Sequence, residues 1–192
     1  MSDLELVAQS QQGDAEAFNS LVRRWDGSLF HFVRRMMGND EDARDVCQET
    51  LVKAYVNIGR LRDPAKFKAW LHHIALNLCR DWHRSPKARI VALRFEEDRP
   101  DEARHADSSG TGRAPDRRAE TAGLARMLSD VLAELPLEQR TSILLRECQG
   151  FTSEEIGQIM GVPSATVRTR IYYGLKLVRR LLRQRGITRD SL

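Results

Sequence analysis

The chain has 192 residues, enough for one domain or two small ones, with 30% charged residues, 6% aromatic residues and a net charge of +4. Neither a charged start followed by an apolar core nor an apolar run long enough to span a bilayer is present, which excludes membrane insertion and predicts a cytosolic protein. Apolar residues recur at helical spacing almost everywhere and no strand pair is visible, so the chain reads as all-α.

Residues 3–37 predict helix with a break at Gly13-Asp14, where Asp14 can cap the longer second part. Phe18, Leu21, Val22, Trp25, Leu29, Phe32, Val33 and Met36 then keep a three-four rhythm, a core stripe. Gly38-Asn39-Asp40 ends this helix and caps the next. Its inner face is Ala43, Val46, Cys47, Thr50, Leu51, Ala54, Tyr55 and Ile58, with Asp42, Asp45, Gln48, Glu49 and Lys53 outward or at the edge. From the residues alone that outer face is a solvated acidic stripe. Gly59 to Pro64 is a loop by composition, and helix resumes near Ala65. There Phe67, Trp70, Leu71, Ile74, Ala75, Leu78 and Trp82 face inward, while Lys66, Lys68, His72, His73, Asn77, Arg80 and Arg84 form a basic, amide-bearing surface. A solvated basic helix or a nucleic-acid surface fits it equally.

From Glu96 to Arg118 no hydrophobic residue is larger than Ala, and seven acidic and five basic residues mix with two prolines. This reads as a flexible polar linker over 93–118, between domains at 1–92 and 119–192 that have no reason to stay docked. Leu124, Met127, Leu128, Val131, Leu132 and Leu135 restore a helical stripe that Pro136 interrupts. A further helix over 138–149 turns Ile143, Leu144 and Cys148 inward.

After Gly150, Thr152 and Glu155 have the form of a capping box, Gly161 suits a helix end, and Pro163 with Ser164 or its neighbour opens a second helix. In that helix Val167, Ile171, Leu175, Val178 and Leu182 share a buried face. The opposite face carries Ala165, Thr169, Tyr172, Tyr173, Lys176 and Arg180, with Arg168 and Arg170 on its flanks. Between Ile156 and Arg189 stand eight Lys or Arg and no Asp or Glu. This points to a DNA-binding helix-turn-helix, against a helical pair that only packs.

Cys47, Cys79 and Cys148 are an odd number on or beside apolar stripes, so they read as reduced core residues. Cys79 and His83 could share a helix face, with His72 and His73 nearby, but two ligands on one helix do not make a metal site. No nucleophile-base-acid set, phosphate loop or metal motif is visible, so an enzyme is disfavoured and no cofactor is expected.

In order along the chain, GDAEAF at 13–18, DARDVCQETLVKAY at 42–55, FKAWLHHIALNLCRDWHR at 67–84, LAELPLEQRTSILLREC at 132–148 and EEIGQIMGVPSATVRTRI at 154–171 resemble the extracytoplasmic-function group of the sigma-70 family, the compact sigma factors of bacterial RNA polymerase. The resemblance implies two small helical domains, the second containing the helix-turn-helix. The first would grip the polymerase and the minus-ten element; the second would read the minus-thirty-five element.

By the same resemblance Asp45, Gln48 and Glu49 dock on the beta-prime clamp helices, and the second domain meets the beta flap. The loop residues Arg60, Leu61, Arg62, Asp63 and Lys66 capture a flipped base, while Asn77, Arg80 and Arg84 lie beside the opening duplex. Ser164, Thr166, Arg168, Thr169, Arg170, Tyr172, Tyr173 and Lys176 become the minus-thirty-five contacts. Tyr173 stands where Arg is common, Gly174 where Ala is frequent, and His73 where a basic or aromatic residue is usual. An anti-sigma factor is the expected regulator, and would be the route by which the protein is held at a membrane. The competing function is a helix-turn-helix regulator, carrying a sensing or oligomerising domain, that is not a polymerase subunit.

Overall fold

The computed structural model describes residues 1–85 and 117–187, except for the side chains of 117–122, 124 and 125. Every regular element among these residues is helical. The expected linker at 93–118 lies outside the described residues, save for 117 and 118 at the start of a helix.

The first domain comprises α1 (Asp3–Gln11), α2 (Ala15–Met37), α3 (Asp40–Asn57) and α4 (Phe67–Arg84). Polar side chains set the starts of three of them. Ser2 and Glu5 form a capping box on α1, Asp14 accepts from the Glu16 and Ala17 amides, and Asn39 accepts from the Asp42 amide. Gly38, at φ 84°, lets the chain reverse between α2 and α3. Leu21, Leu29, Phe32, Val33 and Met36 of α2 are fully buried, as are Ala75, Leu76 and Cys79 of α4. The α2 stripe is therefore the core it was expected to be.

Three expected faces differ. Asp42 is buried rather than at the edge, because the Asn39 carboxamide donates to its Oδ2 at 2.7 Å and folds the cap over it. Tyr55 is half exposed, its ring edge-on to Phe18 with centroids 5.0 Å apart. His72 is fully buried rather than on the surface of α4.

The second domain comprises α5 (Arg117–Ala133), α6 (Leu137–Ile143), α7 (Ser153–Met160) and α8 (Ser164–Gln184). Helix α6 runs on into a π-helical turn over Leu144–Cys148, closed by the Gln149 amide on the Leu144 carbonyl at 3.2 Å. The wider turn rotates the residues after it. Leu145 goes inward, and Cys148 comes out to solvent instead of joining the core as expected. Leu128 is also exposed, away from the inner stripe of α5.

The helix-turn-helix forms as its punctuation implies. Thr152 and Glu155 make the capping box, and Gly161 ends α7 at φ 70°. Ser164 is the first residue of α8 but does not cap it; its hydroxyl instead faces the Arg168 guanidinium at 3.3 Å.

The two domains are docked, contrary to the expectation of independence. Helix α4 packs on α7, and one continuous apolar cluster joins Phe32 and Leu71 to Phe151, Ile156 and Ile159. Polar contacts line the seam. The Ser28 hydroxyl donates to Gln149 Oε1 at 2.7 Å, and Lys68 Nζ donates to the Gln149 carbonyl. His73 Nδ1 donates to the Ile159 carbonyl at 2.8 Å, and Arg140 donates to the Met36 carbonyl at 3.2 Å. The polar linker gave no sign of this because the docking surfaces belong to the helices on either side of it.

At the turn of the helix-turn-helix, a Cβ on Gly157 would sit 2.7 Å from the Val162 carbonyl oxygen. That oxygen is backbone and cannot swing aside. Gly157→Ala should therefore cost about 1–3 kcal/mol of stability, read by denaturant unfolding; an unchanged midpoint would mean that the turn yields freely.

Candidate nucleic-acid interface

Three exposed surfaces collect the candidate residues. On α3, Asp45, Gln48 and Glu49 are exposed and share one face, with Glu49 paired to Lys53 at 2.9 Å. Val52 closes a shallow hollow beside them, and it and Val56 are 56% and 73% exposed. Sequence reasoning passed over both valines. The available signal was that two aliphatic residues fall outside the inner stripe and continue the acidic face toward the end of the helix.

Between α3 and α4 the chain makes two short 3-10 turns, Ile58–Arg60 and Pro64–Lys66. Gln11 of α1 pins the segment by donating to the Ile58 carbonyl at 3.0 Å and the Leu61 carbonyl at 2.7 Å. Leu61 is buried, so it anchors the loop and does not belong with the exposed candidates. Asp63 caps the second turn through the Ala65 amide. Arg60, Arg62, Asp63 and Lys66 remain exposed. Arg60 and Asn77 come together at a hollow of about 360 Å³ whose wall includes the Trp70 ring. An aromatic wall with a cation and an amide at the rim can stack and hydrogen-bond a planar ring.

The rest of the α4 surface divides. Arg84 is exposed, 4.0 Å from Asp81. Asn77 donates to His73 Nε2 at 3.0 Å, consistent with a His73 that carries its proton on Nδ1. Arg80, expected to be free, grips Glu138 of the second domain through both carboxylate oxygens at 3.1 and 3.2 Å. Lys68 is half-buried, with its ammonium over the Phe151 ring at 4.5 Å and the Trp25 ring at 5.5 Å.

On α8, Thr169, Tyr172, Tyr173, Lys176 and Arg180 are exposed as their helical positions predict, while Ser164 and Thr166 are partly buried at its start. Thr169 donates its hydroxyl to the Ala165 carbonyl, which leaves its oxygen lone pair and methyl outward. The Tyr172 and Tyr173 rings meet edge to face at 5.2 Å. Arg168 is exposed, 3.5 Å from Glu154. Arg170 is not free: it is half-buried and paired with Glu138 at 2.9 Å.

Tyr173, Lys176, Arg180 and Arg183 line a groove of about 780 Å³ against Gln139 of α6. Arg183 lay outside the expected contacts because the outward face was followed along α8 only as far as Arg180. Gly174 is buried, and a Cβ there would meet Ile143 Cδ1 at 2.7 Å. It serves the packing of α8 on α6, so that departure from the family pattern bears on the core and not on the exposed face.

Burial favours the neutral forms of two cysteines and a histidine. Burial pushes the Cys47 and Cys79 thiols up to about 12, and burial followed by the nearby Lys68 charge brings His72 down to about 4.

Comparison with known proteins identifies the family. Residues 21–89 match the family description "Sigma-70 region 2", and residues 125–178 match "Sigma-70, region 4". The ECF RNA polymerase sigma-E factor of Haemophilus influenzae is 33% identical over 183 residues, covering 93% of this chain and 94% of that protein. The ECF RNA polymerase sigma factor SigW of Bacillus subtilis is 30% identical over 189 residues, covering 92% and 95%. Among solved structures, CnrH in complex with the cytosolic domain of CnrY superposes with a TM-score of 0.67 at 25% identity, over 95% of this chain and 97% of that one. The sigma factor RpoE of Bartonella quintana, in complex with the anti-sigma factor NepR, shares the fold with a TM-score of 0.62 at 21% identity, over 88% and 98%. With both regions in order and full-length relatives at this identity, the chain belongs to the sigma-70 family and is an RNA polymerase sigma factor of the ECF type.

Proposed function

We propose that the chain works as three separate contacts: α3 on core polymerase, the α3–α4 segment on the minus-ten element, and α8 on the minus-thirty-five element. What supports this division is the distribution of charge over exposed surfaces. An acidic-amide stripe on α3 suits a basic partner, whereas the cations and aromatic wall by Arg60 and the basic face of α8 suit nucleic acid. Domain boundaries at 1–92 and 119–192 follow from the same reading, with the beta-prime clamp helices and beta flap as polymerase contacts. The chain then acts by binding, without catalysis. Extruding a base costs a few kcal/mol, so a pocket that accepts only the extruded form converts recognition into melting.

Regulation by an anti-sigma factor is the matching proposal. The solved relatives CnrH and RpoE are each in complex with another protein, and RpoE's partner is named as an anti-sigma factor. In the docked chain Arg80 is engaged by Glu138 and part of the α4 face is covered by α7, so Arg80 joins the contact with the minus-ten element only when the domains part. The α3 stripe is free in the docked state, and polymerase can engage it first.

Asp45→Lys together with Glu49→Lys should abolish pull-down by purified core polymerase while the unfolding midpoint stays within about 0.5 kcal/mol, since both side chains are exposed. Retained core binding would remove α3 from the polymerase contact and favour the regulator alternative. Arg60→Ala with Asn77→Ala should spare closed-promoter binding and block opening. Permanganate reactivity of unpaired thymines checks this, and wild-type reactivity would mean the hollow does not take the base. Tyr173 cannot make the two-pronged guanine contact that arginine makes, so Tyr173→Arg should shift preference at one or two minus-thirty-five positions by about 1–3 kcal/mol. Selection from a randomised promoter library reads the shift; an identical consensus would rule Tyr173 out as a base contact.

A further inference from the structure

His72 stands where the two domains meet, and it is fully buried. Its ring lies between Phe32 of α2, with centroids 5.3 Å apart, and Phe151 of the second domain, at 5.2 Å. Nδ1 donates to the Lys68 carbonyl at 2.8 Å, and Nε2 makes no hydrogen bond of normal geometry, with the Gln149 side chain as the one polar group near enough to favour its protonated form. The charged groups around this slot are Lys68 on α4, Glu155 on α7, which interacts with Lys68, and Arg146 of the π turn, which donates to the Phe151 carbonyl. Helix α2 contributes Phe32 and Ser28, neither of which titrates in this range. A proton on Nε2 would therefore enter an apolar slot beside an ammonium, where the Gln149 side chain, already bonded to Ser28, offsets only part of the cost of burying the charge.

A second histidine sits at the far end of the seam. His83 Nε2 donates to the Met36 carbonyl at 3.1 Å, and the same oxygen accepts from Arg140 of the second domain at 3.2 Å. Charging His83 would set a cation against Arg140 at the point where α6 meets α2. Burial, and after it the Arg140 charge, lowers the His83 pKa, so the docked arrangement disfavours the charged form of both histidines.

We propose that domain docking in this sigma factor is a proton-sensitive latch, in which protonation of His72, assisted by His83, releases the second domain from α4 and uncovers Arg80. The direction follows from the geometry. The docked state holds His72 at about 4, below the ordinary histidine value of about 6.5. Docking is fully favoured above that ordinary value, and it weakens as the pH falls from there toward about 4. With an ordinary histidine in the undocked state, the docking constant should fall about tenfold between pH 7.5 and 5.5. Carboxylates of ordinary strength stay ionised over that window, so the response belongs to histidine.

The test uses the full chain with one dye on Cys148 and one on an Arg23→Cys variant, both positions being exposed. An Arg80→Ala background loosens docking enough for both populations to be counted by single-molecule energy transfer. The undocked-to-docked ratio should rise at least tenfold from pH 7.5 to 5.5, and by about tenfold less when His72→Phe is added, leaving only the share of His83. An unchanged ratio over that range, or the same rise with His72→Phe, overturns the proposal. The His72 ring titration by NMR in the otherwise unaltered chain gives an answer that needs no core substitution. A midpoint far below 6.5 supports the latch, and one near 6.5 in the docked protein overturns it.

Discussion

Helix α4 is buried on two sides, and the arrangement of the molecule depends on it. Leu71, Ala75, Leu76 and Cys79 pack into the first domain. From the same helix His72, His73, Lys68 and Arg80 reach across to the second domain, where each meets an aromatic ring, a carbonyl or a carboxylate. Long basic side chains suit this task because their stems cover apolar surface while their heads find partners at its rim. Lys68 is half-buried at this rim, with its ammonium over the Phe151 ring and on the Gln149 carbonyl.

Glu138 concentrates the electrostatics of the docked state. A single carboxylate holds Arg80 from α4 and Arg170 from α8, one cation from each helix that the sigma-factor reading assigns to DNA. Pairs of this kind, partly shielded from solvent, keep more of their strength than open surface pairs, yet neither arginine is sealed from water. Such a contact can be exchanged for phosphate. The arrangement lets a chain that must eventually lie along a promoter remain closed without any covalent or metal-based restraint among the described residues.

The π turn at Leu144–Cys148 is the other constraint with wide consequences. It places Gln149 where its side chain exchanges hydrogen bonds with Ser28, and it delivers Phe151 onto His72. A regular helix through the same residues would turn Cys148 inward and point the next segment elsewhere. The seam therefore depends on a local departure from 3.6-residue geometry.

Much of this was legible in the sequence. Capping residues at Asp14, Asn39 and Thr152, the glycines at 38 and 161, and the apolar rhythm of α2 act through a few neighbouring residues, so they specify helices and turns without reference to the rest of the chain. The ordered motifs likewise carried the family, and the outward face of α8 followed from its own periodicity. Tertiary structure alone decided which of the polar positions are free. His72, Arg80, Arg170 and Leu61 all occupy positions that a single helix or loop would leave open, and each is covered by an element distant in sequence or turned toward one. Periodicity reports which residues share a face of their own helix; it holds no information on what packs against the other face, because that depends on shape and charge matching between surfaces that meet only once the chain has folded.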